Sequence, residues 1–210
     1  MFVGPEKQLL YLGVVLHGLR NLREEWTATA TEQARQRAAA DLQPATPRRP
    51  VRQHLSTQLG SFGVPEGWDP LIPETLDMWR NQTNTPVVGG MLRSDPAPTS
   101  IIDITPLAGW LEADPRDYLR VTTDFRPPFI EAFAAKGLPI QEGPGTLLVN
   151  GRPAIWLYHG SSADGLALRN AQVHAVVGAQ IVGLQLMTTA QNFSVLIDDF
   201  WTVVATTQWS

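Results

Sequence analysis

The sequence predicts an α+β domain, an antiparallel sheet flanked by helices, preceded by an N-terminal helical arm. Three observations predict it. From Thr146 onward the chain reads strand, Asn150-Gly151 turn, strand, loop, strand, Gly178-Ala179 turn, strand. After that, Phe193, Leu196, Ile197, Phe200, Trp201 and Val204 recur at helical spacing and make one apolar face, with Asp198 and Asp199 expected to turn outward. Near the start, Leu9, Leu12, Leu16, Leu19 and Trp26 follow a three/four spacing that only Arg23 breaks.

Taken in order, residues 5–42 read as helical. Pro5 suits a first turn, Val15 and Leu22 widen the leucine stripe, and Glu32 to Leu42 has good helix propensity but little apolar face. Pro44, Pro47 and Pro50, with Arg48, Arg49 and Arg52, read as a linker, because proline lacks the amide donor and biases its predecessor to extended forms. The predicted organisation is therefore an arm with linker over residues 1–54 and an α+β domain over 55–210. Strands are expected at Gln58–Val64, Pro86–Leu92 and Ser100–Ile104, with a short helix around Glu74–Arg80. Asp114-Pro115 is a helix start, an acidic cap followed by proline at the first helical position. Pro127-Pro128 must break or restart that helix, and Gly137 closes it. Asn150-Gly151 favours a two-residue hairpin turn, since both positions tolerate positive φ.

Composition narrows the function classes. The 210 residues carry a net charge of −4, so no global excess of positive charge favours nucleic acid. Of sixteen Lys and Arg, eight lie in residues 1–54 against five of the twenty Asp and Glu. The remaining eight against fifteen lie in 55–210. The arm is mildly basic and the domain acidic. The chain has no cysteine, hence no disulfide framework, thiolate metal site or cysteine nucleophile. Its longest early apolar run, Leu9 to Leu19, falls well short of the roughly 20 residues of a transmembrane helix. With no export signal read around it, the expected location is cytoplasmic.

Candidate chemistry is sparse. His17, His54, His159 and His174 fit no metal-ligand spacing. His174 alternates with Gln172 on a strand whose other face is Val173, Ala175 and Val177, which makes it a solvent-facing or partner-facing residue. His159-Gly-Ser-Ser162 is not a nucleophile elbow and reads as a hairpin loop. Gly143-Pro-Gly145 and Gly89-Gly90 lack the strand, helix and lysine of a phosphate loop. Asp198-Asp199 and Glu24-Glu25 diverge by about 100° on a helix and read as solvated faces. No cofactor, metal or catalytic residue is expected.

Phe62-Gly-Val-Pro-Glu-Gly-Trp68 resembles the opening strand and Pro-x-Gly-Trp of the PsbP-like superfamily. So do the helix from Asp114 through Gly137, the turn and strand start Asn150-Gly-Arg-Pro-Ala154, the hairpin Asn170–Thr188, and the final helix Ala190–Ala205 with its Thr-Thr-Gln-Trp tail. Bacterial branches of that superfamily include LpqN-type proteins and the EagR-type chaperones of type VI secretion effectors. The arm has no counterpart in the pattern. The resemblance implies a non-catalytic protein-binding accessory, a chaperone or adaptor subunit of a larger assembly, with an apolar client segment held against the sheet or its helices. The alternatives are a structural subunit of an injection or envelope machine anchored by its arm, and a small hydrolase using His159 with Ser161 or Ser162. Partners are expected to be proteins, a second copy of the chain included. They would be met through Leu9, Leu12, Leu16, Leu19 and Trp26 of the arm, and through the sheet face at His174.

Overall fold

The computed structural model describes residues 44–210 apart from 84–85, 107–125, 136, 164 and 178–179. The arm stripe, Leu9 to Trp26, and the helix start at Asp114 lie outside the described residues. The elements are β1 (Val51–Thr57), β2 (Gly60–Pro65), β3 (Asp69–Pro70), α1 (Pro73–Thr83), β4 (Gly89–Arg93) and β5 (Ser100–Pro106). After these come α2 (Arg126–Ala135), β6 (Ile140–Val149), β7 (Arg152–Ala163), β8 (Leu166–Val177), β9 (Gln180–Thr189), α3 (Phe193–Thr206) and β10 (Gln208–Trp209). They build a seven-stranded sheet in the order β3-β4-β5-β9-β8-β7-β6 and a three-stranded sheet in the order β1-β2-β10, with antiparallel pairing between the strands. This is the α+β class that the sequence predicts.

Alternation along the strands produces the core. Ala171, Val173, Ala175 and Val177 of β8 face the same way as Val182, Leu184 and Leu186 of β9, Ile102 and Ile104 of β5, and Ala154 and Tyr158 of β7. That surface packs against α3 through Phe193, Leu196, Phe200, Trp201, Val203 and Val204. Phe62 and Val64 of β2, with Trp68 in the turn after it, join the same core from the smaller sheet's side. A separate small cluster of Trp79, Val87 and Ile101 seats α1 beside the larger sheet.

The turn at Asn150-Gly151 is where the sequence places it, and the one expected at Gly178-Ala179 lies outside the described residues. Asn150 and Gly151 take φ of 45° and 72° between the paired ends Val149 and Arg152. Pro127 and Pro128 sit in the first turn of α2, where a missing amide costs nothing. Gly137, at φ 72°, closes α2 with Leu138 N donating to Phe133 O at 3.0 Å. Pro65-Glu-Gly-Trp68 is a turn in which Gly67 takes φ 83° and Trp68 N donates to Pro65 O at 3.3 Å. A Cβ on Gly67 would stand 3.1 Å from the Arg93 guanidinium carbon, so glycine also admits that side chain.

Three expectations change. Residues 51–54 are not linker but the first half of β1, paired from Val51↔Pro65 onward, and the stretch before them lies on the domain. Its exposed Arg52 and Gln53 hide the strand in the sequence. His159-Gly-Ser-Ser162 is not a loop but the C-terminal part of β7, paired with residues 167–170 of β8. Asp199 does not face solvent. Its side chain is 6% exposed and accepts from Trp68 Nε1 at 3.0 Å and Arg93 Nη1 at 2.9 Å. The adjacent Asp198 does stay outside, since neighbours on a helix point about 100° apart.

Phe200 is fully buried in the main cluster, and truncating such a ring costs about 3–5 kcal/mol. At about 2–4 °C per kcal/mol for a chain of this size, Phe200→Ala is expected to lower the melting temperature by about 10 °C. Val195→Ala on the same helix, at a residue 51% exposed, is expected to leave it unchanged. Thermal melts followed by circular dichroism check both.

Candidate functional site

The face of the larger sheet opposite α3 is unusually polar. Antiparallel partners share a face, so the pairings Asp103↔Gln185 and Gln172↔Gln185 place those three side chains in one row across β5, β9 and β8. The next rung holds Thr105, Gly183 and His174, and the rung on the other side holds Ile101, Met187, Asn170 and His159. Asp103, Thr105, His159, Asn170, Gln172 and His174 are all buried, whereas Gln185 and Met187 in the middle are only partly so. The ring of Phe133 from α2 meets His159 edge-on at 6.3 Å.

Burial sets the protonation of this face. The Asp103 carboxyl is pushed up to about 7 by loss of solvent, opposed by the hydrogen bond that Thr105 Oγ1 donates at 3.2 Å. Burial lowers His159 to about 4, against a backbone contact with Gly160 O. It lowers His174 to about 3, with repulsion from His159 adding to the effect. Both imidazoles are therefore neutral at pH 7. His174, expected to face solvent or a partner, is a buried residue. Alternation gives the correct face but cannot tell that the face is covered. Gln172 Oε1 is buried and has no hydrogen-bond partner.

The geometry does not favour the hydrolase. Ser161 Oγ accepts from Asn170 Nδ2 at 3.2 Å, and a general base works best with a pKa near the operating pH, well above that of His159. Among the described residues no group of three or more His, Cys, Asp or Glu could hold a metal ion. The Gly143–Gly145 segment is an irregularity in β6.

A second feature is the strap formed by residues 44–50. Pro44 bridges Leu148 in parallel sense, and Ala45 N donates to Leu148 O at 3.0 Å. Further on, Arg48 N and Arg49 N both donate to Thr202 Oγ1, at 3.0 and 2.8 Å. The Arg48 guanidinium binds Asp198 at 3.0 Å and stacks over Trp201 at 5.5 Å. The basic residues read as a linker thus fasten it to α3. The sequence offers only a faint signal for this, the match of Arg48-Arg49 with Asp198-Asp199.

No family model matches the chain, and no curated protein sequence does either. Solved structures do. Cyanobacterial PsbP from Synechocystis aligns at a TM-score of 0.51 and 13% identity over 75% of this chain and 92% of that one. LpqN of Mycobacterium tuberculosis, involved in cell envelope biogenesis, aligns at 0.49 and 19% over 71% and 82%. A Pseudomonas aeruginosa protein of unknown function aligns at 0.44 and 14% over 73% and 94%. The fold of this chain is PsbP-like.

The polar face gives opposed pH dependences. The histidines bind fewer protons folded than unfolded, so their stabilisation is complete above about pH 6.5 and is lost as pH falls toward 4 and below. Asp103 keeps its proton longer when folded, so its contribution is complete below about pH 4 and is lost as pH rises through 7. Asp103→Asn is expected to raise the melting temperature at pH 8 and not at pH 4. Replacing His159 and His174 together by Gln is expected to flatten the slope between pH 4 and 6.5. Melting temperatures between pH 4 and pH 8 check both.

Proposed function

We propose that this chain is a non-catalytic accessory subunit that binds another protein, with residues 1–43 as the binding arm and the α+β domain as the platform. The observation that supports this best is the strap. Two backbone amides on one buried threonine hydroxyl, an arginine–aspartate pair and the Leu148 bridge fix where the chain enters the domain, at the outer edge of β6. Whatever precedes Pro44 is delivered to one place on the surface. The stripe Leu9, Leu12, Leu16 and Leu19 is the part of that segment with apolar area to bury, at about 1.5–3 kcal/mol for each leucine fully covered.

The adaptor reading is preferred to a chaperone that lays an apolar client segment on the sheet. Such a segment would meet no open surface at Asp103, Asn170 and Gln172, which the chain itself already buries. The PsbP-like fold accords with an accessory role but does not fix it.

Light scattering and circular dichroism on residues 44–210, beside the full chain, test the proposal. The shortened chain is expected to melt with the full chain and to be monomeric. The full chain is expected to self-associate or hold its partner through the arm, and Leu12→Asp with Leu16→Asp to abolish this. If residues 44–210 prove unfolded, the leucine stripe belongs to the domain's own core and the proposal fails.

A further inference from the structure

The small cluster that seats α1 is not closed on its outer side. Trp79, Val87 and Ile101 are buried, but Leu76, Leu92 and Met187 packed against them are only partly so. Ile72, whose carbonyl accepts from Leu76 N at 2.9 Å as α1 begins, is 60% exposed. Met78, on the helix itself, is 47% exposed. These are two of the four large apolar side chains that stay exposed among the described residues, and they stand about 9 Å apart along the helix axis. An apolar shell left open beside buried aromatic and aliphatic side chains marks a surface for a partner.

Charge and position say which partner. From Pro65 to Trp79 the chain carries Glu66, Asp69, Glu74 and Asp77 and no Lys or Arg. Arg52 and Arg80 answer Asp69 and Asp77 in exposed pairs, which leaves Glu66 and Glu74, and Glu74 shares a face of α1 with Met78 four residues on. From Lys7 to Arg23 the arm is the complement. It carries Lys7, Arg20 and Arg23 and no Asp or Glu, around the stripe Leu9, Leu12, Leu16 and Leu19. The strap fastens the arm at the outer edge of β6, whereas α1 packs by β4 and β5 toward the other edge. The two are five strand spacings apart from β6 to β4, roughly 24 Å. Arm and α1 surface therefore sit on opposite sides of the domain, an arrangement that suits contact between successive copies.

We propose that the α1 surface around Ile72 and Met78 is the docking site for the arm of a second copy of this chain. The leucine stripe covers the apolar shell, and Lys7, Arg20 and Arg23 face the acids beside it. The contact is heterologous, arm onto α1, so copies add head to tail. The inference rests on the arm reading and names the surface that the arm meets.

The test uses the full chain and light scattering over a range of concentrations. Self-association is expected, weaker at high salt. Ile72→Asp with Met78→Asp is expected to weaken it about tenfold or more and to leave the melting curve unchanged. Leu166→Asp with Val195→Asp, at the other two exposed apolar positions, is expected to change neither. Mixing decides the direction of the contact. A chain with Leu12→Asp and Leu16→Asp keeps its α1 surface, and one with Ile72→Asp and Met78→Asp keeps its arm. Neither is expected to associate alone, and together they are expected to form a one-to-one pair that grows no further. Should the aspartates at α1 unfold the chain, Glu66→Lys with Glu74→Lys is expected to weaken association and Arg20→Glu with Arg23→Glu in the same chain to restore it. A monomeric full chain, association that the α1 changes leave intact, a mixture that does not pair, or a charge reversal without effect would each overturn the proposal. If Leu12→Asp with Leu16→Asp still abolishes association in those cases, or abolishes binding to a different protein, the arm reading stands without it.

Discussion

A single buried carboxylate ties the parts of this molecule together. Asp199 lies in the middle of α3, and its Oδ2 accepts from Trp68 at the end of the β2 turn and from Arg93 at the end of β4. Three separate pieces of chain therefore converge on one oxygen, with Arg49 of the strap 3.9 Å from the other. A carboxylate taken out of water is costly unless donors replace the lost solvent, so each contributing segment must be in place before the site is favourable. The turn Pro65-Glu-Gly-Trp68 exists to meet this requirement. It aims the indole N–H at α3, and Gly67 leaves room for the guanidinium above it.

Once α3 is fixed in that way, the two faces of the larger sheet take different roles. The apolar face is consumed by α3, with Tyr158 accepting from Trp201 Nε1 at 2.7 Å at one end, and Asn192 donating to Pro96 O and Ala97 O at the other. The opposite face keeps its polar row. Polar groups on central strands lower stability unless they are answered, so packing alone does not explain the composition of this face.

Much of this was legible in the residues. The α3 helix and the two C-terminal hairpins announce themselves by strict periodicity and by Asn150-Gly151, signals that are local and need no knowledge of the fold. The Pro-x-Gly-Trp turn is visible as a pattern but not as a mechanism, because its partner Asp199 is remote in sequence. The β1 strand was hidden by prolines and arginines, since only Val51, Leu55 and Thr57 along it are even partly buried. Asp199 does not declare its burial in the sequence, because adjacency to Asp198 suggests a shared solvated face and only the roll of the helix separates them. The row Asp103, Gln185 and Gln172 cannot be read from sequence at all. It depends on the register of three strands, and β5 meets β9 only because the chain returns long after leaving it.

The most direct test of the convergence on Asp199 is a double-mutant cycle between Trp68→Phe and Asp199→Asn, with stabilities taken from urea unfolding. A hydrogen bond to a charged acceptor in the interior predicts a coupling energy of about 1.5–3 kcal/mol. Additive losses, with coupling below about 0.5 kcal/mol, would show that the indole and the carboxylate act separately and that α3 is held by its apolar face alone.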